Sequence, residues 1–383
     1  MTKPRNLILW LVVIALAAAG ASCDRMPNQK KIDKTLARLD AAQPSMDEQP
    51  WRILLHIHGG GLFARLDNPA TGSPMDAVAF LAGQAGAQGW SVNRPDKALP
   101  MIVSKANGLI VEQHPNMFTG TLLHAGADPV KMYITTATGE SPELREFVSS
   151  MLVDLDPDTL AAVQEYIPGP QGNAMGWTLL ALADAGLTEA SWDMGAAGRM
   201  NISRVLPAVL ERPLDWGPTA GLDEHFGLAR CVFVHRQAQA KQGADPFGAA
   251  LPGVWGQAAR RLDTVVAAIK KSAEKDGLLD AGWSGAGRGG GAPAERVRHT
   301  ARALAVLAMA LPEKQLREKW VANMAAALCD LVNKEFDAVG KDPYALAYSA
   351  HALRLYRGRL AGEAPRQPKI CGMDDCPYTN LRP

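Results

Sequence analysis

Histidine, tyrosine and arginine recur where apolar runs of this 383-residue sequence begin. His56 and His58 precede three glycines, and His114 opens the stretch His-Pro-Asn-Met-Phe. Glu224-His225 and Arg298-His299 each stand at the head of an apolar segment. Tyr348 and His351 are three residues apart and share a helical face. A histidine titrating near neutrality serves as acid or base. Asp223, Glu224 and Arg298 are placed to polarise or orient a substrate, and Trp177 offers a flat platform for a sugar ring or an isoprenoid. The candidate catalytic residues are therefore His225, His299 and Tyr348. The candidate substrate-binding residues are His56, His114, Trp177, Arg298 and His351. Each of these, taken singly, also reads as a packing residue that ties helices together.

Rival chemistries have weaker support. His58-Gly59-Gly60-Gly61 matches the oxyanion loop of lipases, which requires a Gly-x-Ser-x-Gly elbow. The nearest match, Gly282-Trp-Ser284-Gly-Ala286, ends in alanine. A helix from Trp51 to His58 stopped by glycine is the preferred reading. On that helix His56 and His58 point about 200° apart and cannot share a metal ion. Histidines from separate helices (His56, His114, His225, His299) have the right type for metal ligation, but spacing assigns no metal and no cofactor. Gly285 to Gly291 lacks Gly-Lys-Ser/Thr and reads as a flexible loop over a mouth.

These residues need helices to hold them. Val254, Ala258, Leu262, Val265 and Ile269 repeat at spacings of three and four, as do Leu316, Trp320, Met324, Leu328 and Leu331. Ala301 to Leu311 is apolar nearly all round, the signature of a helix buried on every side. β-alternation is confined to 131–136. Ala125-Gly126 matches Ala185-Gly186 in two similar stretches about 60 residues apart, each glycine ending a helix, with Asp128 or Thr188 placed to cap the next. Six apolar helices, each with a histidine or aromatic near its start and each paired with an amphipathic partner, predict an all-α fold. The arrangement expected is an α/α toroid of about six helical hairpins over 50–361, with the starts of its inner helices converging on one mouth.

The first residues give an address. Lys3 and Arg5 precede the uncharged run Leu7 to Ala19, which is too short to span a bilayer as an ordinary helix and reads as a signal peptide. Ala19-Gly20-Ala21-Ser22 before Cys23 resembles a bacterial lipobox, which implies lipidation of Cys23 after removal of 1–22; Gly20 departs from that pattern, and cleavage after Ala21 is the rival reading. The expected localisation is an exported, membrane-anchored lipoprotein facing the periplasm. Residues 23–49 read as a tether and 362–383 as a tail, where Cys371 and Cys376 are spaced for a local disulfide. Without Lys3 and Arg5 the chain has 38 basic and 39 acidic side chains, which argues against a nucleic-acid partner.

Leu251-Pro-Gly-Val-Trp255, Lys275-Asp-Gly-Leu, Arg298-His299-Thr, Ala310-Leu-Pro-Glu and Ala350-His351-Ala-Leu-Arg-Leu-Tyr356 resemble a group of exported helical-repeat proteins from planctomycete-like bacteria. His114-Pro115 and Pro50-Trp51 to His56 fit the same pattern. The resemblance implies export and helical repeats, and no chemistry. Asp276-Gly277 followed by Trp283 gives a more distant likeness to terpenoid-cyclase and prenyltransferase toroids, whose Asp-rich motif is missing here; Asp374-Asp375 lies in the tail. The functional expectation is a cavity that binds or processes an envelope glycan or a lipid-linked, isoprenoid-like substrate. The alternative is a non-catalytic envelope scaffold.

Overall fold

The computed structural model describes residues 26–87, 112–114, 116–134, 143–153, 155, 175–193, 198–240, 247, 250–273, 275–284, 291–371 and 378. Cys23, Cys376, Asp374, Asp375, Arg288 and most of the glycine-rich loop lie outside these residues, as do the signal segment and the lipobox. The described chain is mostly helical, with fourteen α-helices and two short hairpins. Among the described residues no helix is long and apolar enough to cross a membrane.

Six helices are buried over most of their length. They are α2 (Pro50–Gly60), α4 (Met117–Ala125), α6 (Gly176–Asp184), α8 (Leu222–Gln239), α10 (Pro293–Ala310) and α14 (Pro343–Leu360). Every residue of α6 is buried, and so are the first fourteen of α8, so neither helix has a wet face. The six pack in chain order, α2 on α4, α4 on α6, α6 on α8, α8 on α10 and α10 on α14, and α14 then packs on α2.

The other helices lie against these. α1 (Gln29–Ala41) packs on α14 and α12, α3 (Ala77–Ala87) on α2, and α5 (Leu144–Val153) on α4. α7 (Ile202–Leu210) packs on α9 (Gly253–Ala273), α9 on α8, and α12 (Lys319–Lys334) on α10; α11 (Glu313–Leu316) and α13 (Phe336–Val339) are single turns between them. α9 and α12 are amphipathic, α9 at the predicted positions and α12 with Val321 and Val332 on the core face where Trp320 and Leu331, only partly buried, are expected, and with Leu316 in the separate turn α11. α9 buries Ala258, Leu262, Val265 and Ile269, and α12 buries Val321, Met324, Leu328 and Val332.

Close crossings set the spacing of the buried helices. A Cβ on Gly176 would come within 2.5 Å of the Asp223 carbonyl, and a Cβ on Gly227 would run into the Gly176 carbonyl. α6 and α8 therefore meet backbone to backbone.

Three local expectations differ from the structure. Residues 29–41, assigned to a tether, form a helix that buries Ile32, Leu36 and Leu39 at helical spacing. Strand pairing occurs as β1 (Arg65–Asp67) on β2 (Pro74–Asp76) and β3 (Ser191–Asp193) on β4 (Arg199–Asn201); in 131–136 there is an isolated bridge from Tyr133 to Glu143. Gly126 and Gly186 do end helices, with φ of 108° and 76°. The residues after them cap no helix: Asp128 accepts from Val130 N in a turn at 3.0 Å, and buried Thr188 leads into β3.

Candidate functional site

The six buried helices run in one sense, because their N-terminal ends meet around the set. Trp51 stacks on Tyr344 at 5.7 Å, Asn116 donates to the Thr178 hydroxyl at 2.8 Å, and the Met175 N–H donates to Glu224 at 3.3 Å. The Arg298 guanidinium lies 3.3 Å from the Asp342 carboxylate. Side chains facing the common axis therefore sort by depth.

The first layer surrounds the N-terminal mouth. The Tyr344 hydroxyl donates to Gln113 Oε1 at 2.9 Å and lies 3.2 Å from His114 Nε2. The Tyr344 ring meets the Tyr348 ring edge-on at 5.6 Å. Asp223 accepts from the Thr219 hydroxyl at 2.7 Å and forms an ion pair with Arg302 Nε at 2.6 Å. Burial, then the Asp223 charge, raises both tyrosine hydroxyls above the ordinary phenol range. Burial lowers His114 and His299 below the ordinary imidazole value, with Asp223 opposing it in both. At neutral pH this mouth presents protonated phenols beside neutral imidazoles.

The second layer fills the axis. The Arg302 guanidinium carbon lies 4.3 Å from the Phe226 ring centre, 4.4 Å from that of Tyr348 and 5.4 Å from that of Trp177. Its Nη1 donates to His58 Nε2 at 3.1 Å. His58 packs 4.3 Å from His351, centre to centre, and edge-on to Trp177 at 5.1 Å.

The third layer closes the far end. His124 Nε2 lies 2.9 Å from His351 Nε2, and His124 Nδ1 lies 2.8 Å from Asp184 Oδ2. Arg230 donates twice to Asp184 Oδ1, at 3.0 and 2.6 Å. Arg230 also donates to the Arg366 carbonyl, and Arg366 Nη2 donates to the Leu123 carbonyl at 2.5 Å. The C-terminal segment thus lies across the C-terminal ends of α4 and α6 and meets α8 near its middle, at Arg230. It continues to Cys371, whose N–H donates to the Gly186 carbonyl at 2.9 Å.

Partner chemistry fixes the protons along this line. A carboxylate accepts, so His124 carries its proton on Nδ1 and accepts at Nε2. His351 therefore donates from Nε2, and His58, which accepts from Arg302 at Nε2, is protonated at Nδ1. Burial lowers all three imidazoles, so each stays neutral. Burial alone would raise the Asp184 carboxyl, but Arg230 and His124 overcome it and hold that group well below the carboxylate range. The result is a buried polar core in which Asp223 compensates Arg302 at one level and Asp184 compensates Arg230 at the other, with the guanidinium of exposed Arg366 3.8 Å from Asp184.

Of the residues singled out from the sequence, Tyr348, Trp177 and His351 face this axis, and His114 and Arg298 stand at its mouth with His299 near Asp223. Two do not join them. His225 is turned to the 211–221 segment, where Nε2 lies 2.8 Å from the Leu214 carbonyl and the ring meets Trp283 edge-on at 6.0 Å. Burial, partly offset by that hydrogen bond, lowers it to about 4. His56 lies in a lateral cavity, with Nε2 2.9 Å from the Arg65 carbonyl. Cys371 is buried against the Ala185 carbonyl, and its expected partner Cys376 falls outside the described residues.

The sequence pattern does not assign Asp184, Arg230, Arg302, His124 or Tyr344 to the site, and it places His58 only at a glycine-stopped helix end. The first three had a signal: each is a lone charge inside an apolar helical run, and a charge that must be buried needs a partner. Among the described residues no group of three His, Cys, Asp or Glu side chains is placed to hold a metal ion. No family model matches the chain, and no curated protein or solved structure matches it.

Proposed function

We propose that this chain is an exported, lipid-anchored α/α toroid that binds and processes an envelope glycan at the N-terminal mouth of its ring. The toroid reading rests on the cyclic packing of α2, α4, α6, α8, α10 and α14 and on amphipathic helices lying outside them. The observation that carries the functional reading is the pairing of Tyr344 with His114 at 3.2 Å, beside the Trp51 face and above Asp223 and Arg302. Because the Tyr344 hydroxyl donates to Gln113, neutral His114 donates to it from Nε2 and keeps Nδ1 as the proton acceptor, while aromatic faces and uncharged hydrogen-bonding groups suit a sugar. Arg302 fixes the position of the Asp223 carboxylate through their 2.6 Å ion pair. The near-neutral charge of the chain fits an uncharged or weakly charged polymer better than a polyanion.

The test is titration of the full chain against a panel of envelope glycan fragments, with turnover followed by mass. Tyr344→Phe and His114→Gln should lose turnover by about 10²-fold, the usual worth of one acid–base group, while melting as the wild type does. Binding and turnover that are equal in both variants would sink the assignment of the site. A second reading has its own observation: below the mouth, His58, Trp177, Phe226 and His351 fill the axis, as in a scaffold whose centre is structural. A blank panel with correctly folded protein would favour that reading. The anchor is tested separately, since Cys23→Ala should release the chain from membranes.

A further inference from the structure

A cavity of about 540 Å³ lies beside the ring and uses none of the mouth residues. Arg52, His56 and Gly60 recur every four residues on one face of α2, and Leu346, Ala350 and Arg354 do so on one face of α14. Residues 39–48, from the end of α1 onward, close the third side. The volume falls within the roughly 300–1,000 Å³ of pockets that enclose a small organic molecule.

Most of the charge here is already compensated. Arg52 pairs with Glu48 at 2.7 Å, and Arg354 pairs with Asp40 while also donating to the Gly59 carbonyl. Lys341 stands exposed on the rim and makes no ion pair among the described residues. His56 contributes the other polar function. Its Nε2 faces a carbonyl, which only accepts, so the proton sits on Nε2 and Nδ1 is left as an acceptor. Between these two points the wall is apolar, with Leu39, Ala42, Leu346 and Ala350. The site therefore asks for an apolar body, an anionic group for Lys341 and a hydroxyl donor for His56.

We propose that this lateral cavity binds a free amphipathic hydroxy acid, independently of whatever occupies the mouth of the ring. The probe is 3-hydroxyoctanoate, titrated calorimetrically into the full chain beside octanoate, 1-octanol and octylammonium. The expected result is saturable binding at one site, with 1-octanol and octylammonium at least about fivefold weaker. Lys341→Glu should weaken the hydroxy acid by about fivefold or more, the scale of one exposed charge contact. Leu346→Trp fills the cavity and should abolish binding; Lys341→Glu lies on the surface and keeps the test valid if that variant fails to fold. Equal binding of 1-octanol, or undiminished binding by Lys341→Glu, would overturn the proposal. So would binding to phosphatidic-acid vesicles without binding of the free acid, which would place the anion on a lipid surface.

Discussion

Acidification from about pH 7.5 to about 5.5 should loosen this protein. His58, His124 and His351 are buried together on the axis, and burial lowers each below the imidazole value of about 6.5 that the unfolded chain has. The unfolded state then binds more protons than the folded one, so stability is complete above that value and falls as the pH drops below it. Over this interval the unfolded chain takes up nearly one proton per imidazole and the folded chain takes up almost none. A group whose folded value lies below the whole interval accounts for about 1.4 kcal/mol, so these three set a scale of about 4 kcal/mol, to which His56, His114, His225 and His299 add in the same sense. At roughly 2–4 °C per kcal/mol, the midpoint should fall by roughly 8–16 °C. Thermal melts followed by circular dichroism in matched ionic strength measure this directly. His351→Gln removes one of the seven imidazoles that burial lowers and should flatten the pH slope by about one seventh. A midpoint constant across the interval, or a slope unchanged in His351→Gln, would refute the argument that these rings are held neutral.

Three further outcomes follow from the same geometry. Asp184→Asn leaves the Arg230 guanidinium buried without its carboxylate and should cost about 3–5 kcal/mol in a denaturant titration, whereas Asp330→Asn, which breaks an exposed pair with Lys31, should cost less than about 1 kcal/mol. Gly227→Ala pushes a Cβ into the Gly176 carbonyl and should destabilise by about 1–3 kcal/mol or more, while Gly83→Ala, on an open face of α3 with nothing nearby, should stabilise by about 0.5–1 kcal/mol. Arg366→Ala removes the hydrogen bond to Leu123 and should speed amide exchange at the C-terminal ends of α4 and α6 more than at their N-terminal ends; uniform protection would show that the tail does not seal that end.

The helical class was legible because burial imposes a pattern. Outer helices such as α9 read at spacings of three and four, and α10 reads as apolar all round. The rotation of an inner helix about its own axis was not legible. His56 and His58 lie on opposite faces of α2, and apart from Arg52, which shares the less buried face with His56, the helix carries nothing to say which face looks inward. The choice fell on His56, and the axis holds His58. His225 failed for a different reason: its partner, the Leu214 carbonyl, belongs to a segment whose fold-back no local pattern announces. The short loops after Gly126 and Gly186 hid the same kind of non-local information, since Gly186 is required by the close approach of Lys369, far along the chain. Lone charges in apolar runs were the one overlooked signal that could have found Asp184, Arg230 and Arg302 in advance.

The contact of α14 with α2 has a consequence for the order in which the molecule can be made. Arg354 reaches the Gly59 carbonyl and Asp40, and Arg357 pairs with Asp33 at 3.0 Å, so α1 finds its partners only in α12 and α14, where α2, already packed on α3 and α4, completes its own contacts. During synthesis α1 emerges first and must wait with Ile32, Leu36 and Leu39 uncovered until α12 and α14 arrive. A nascent chain stalled before about residue 340 is therefore an open, sticky intermediate rather than a smaller folded protein, and its survival depends on how quickly the remainder follows or on a chaperone that shields it.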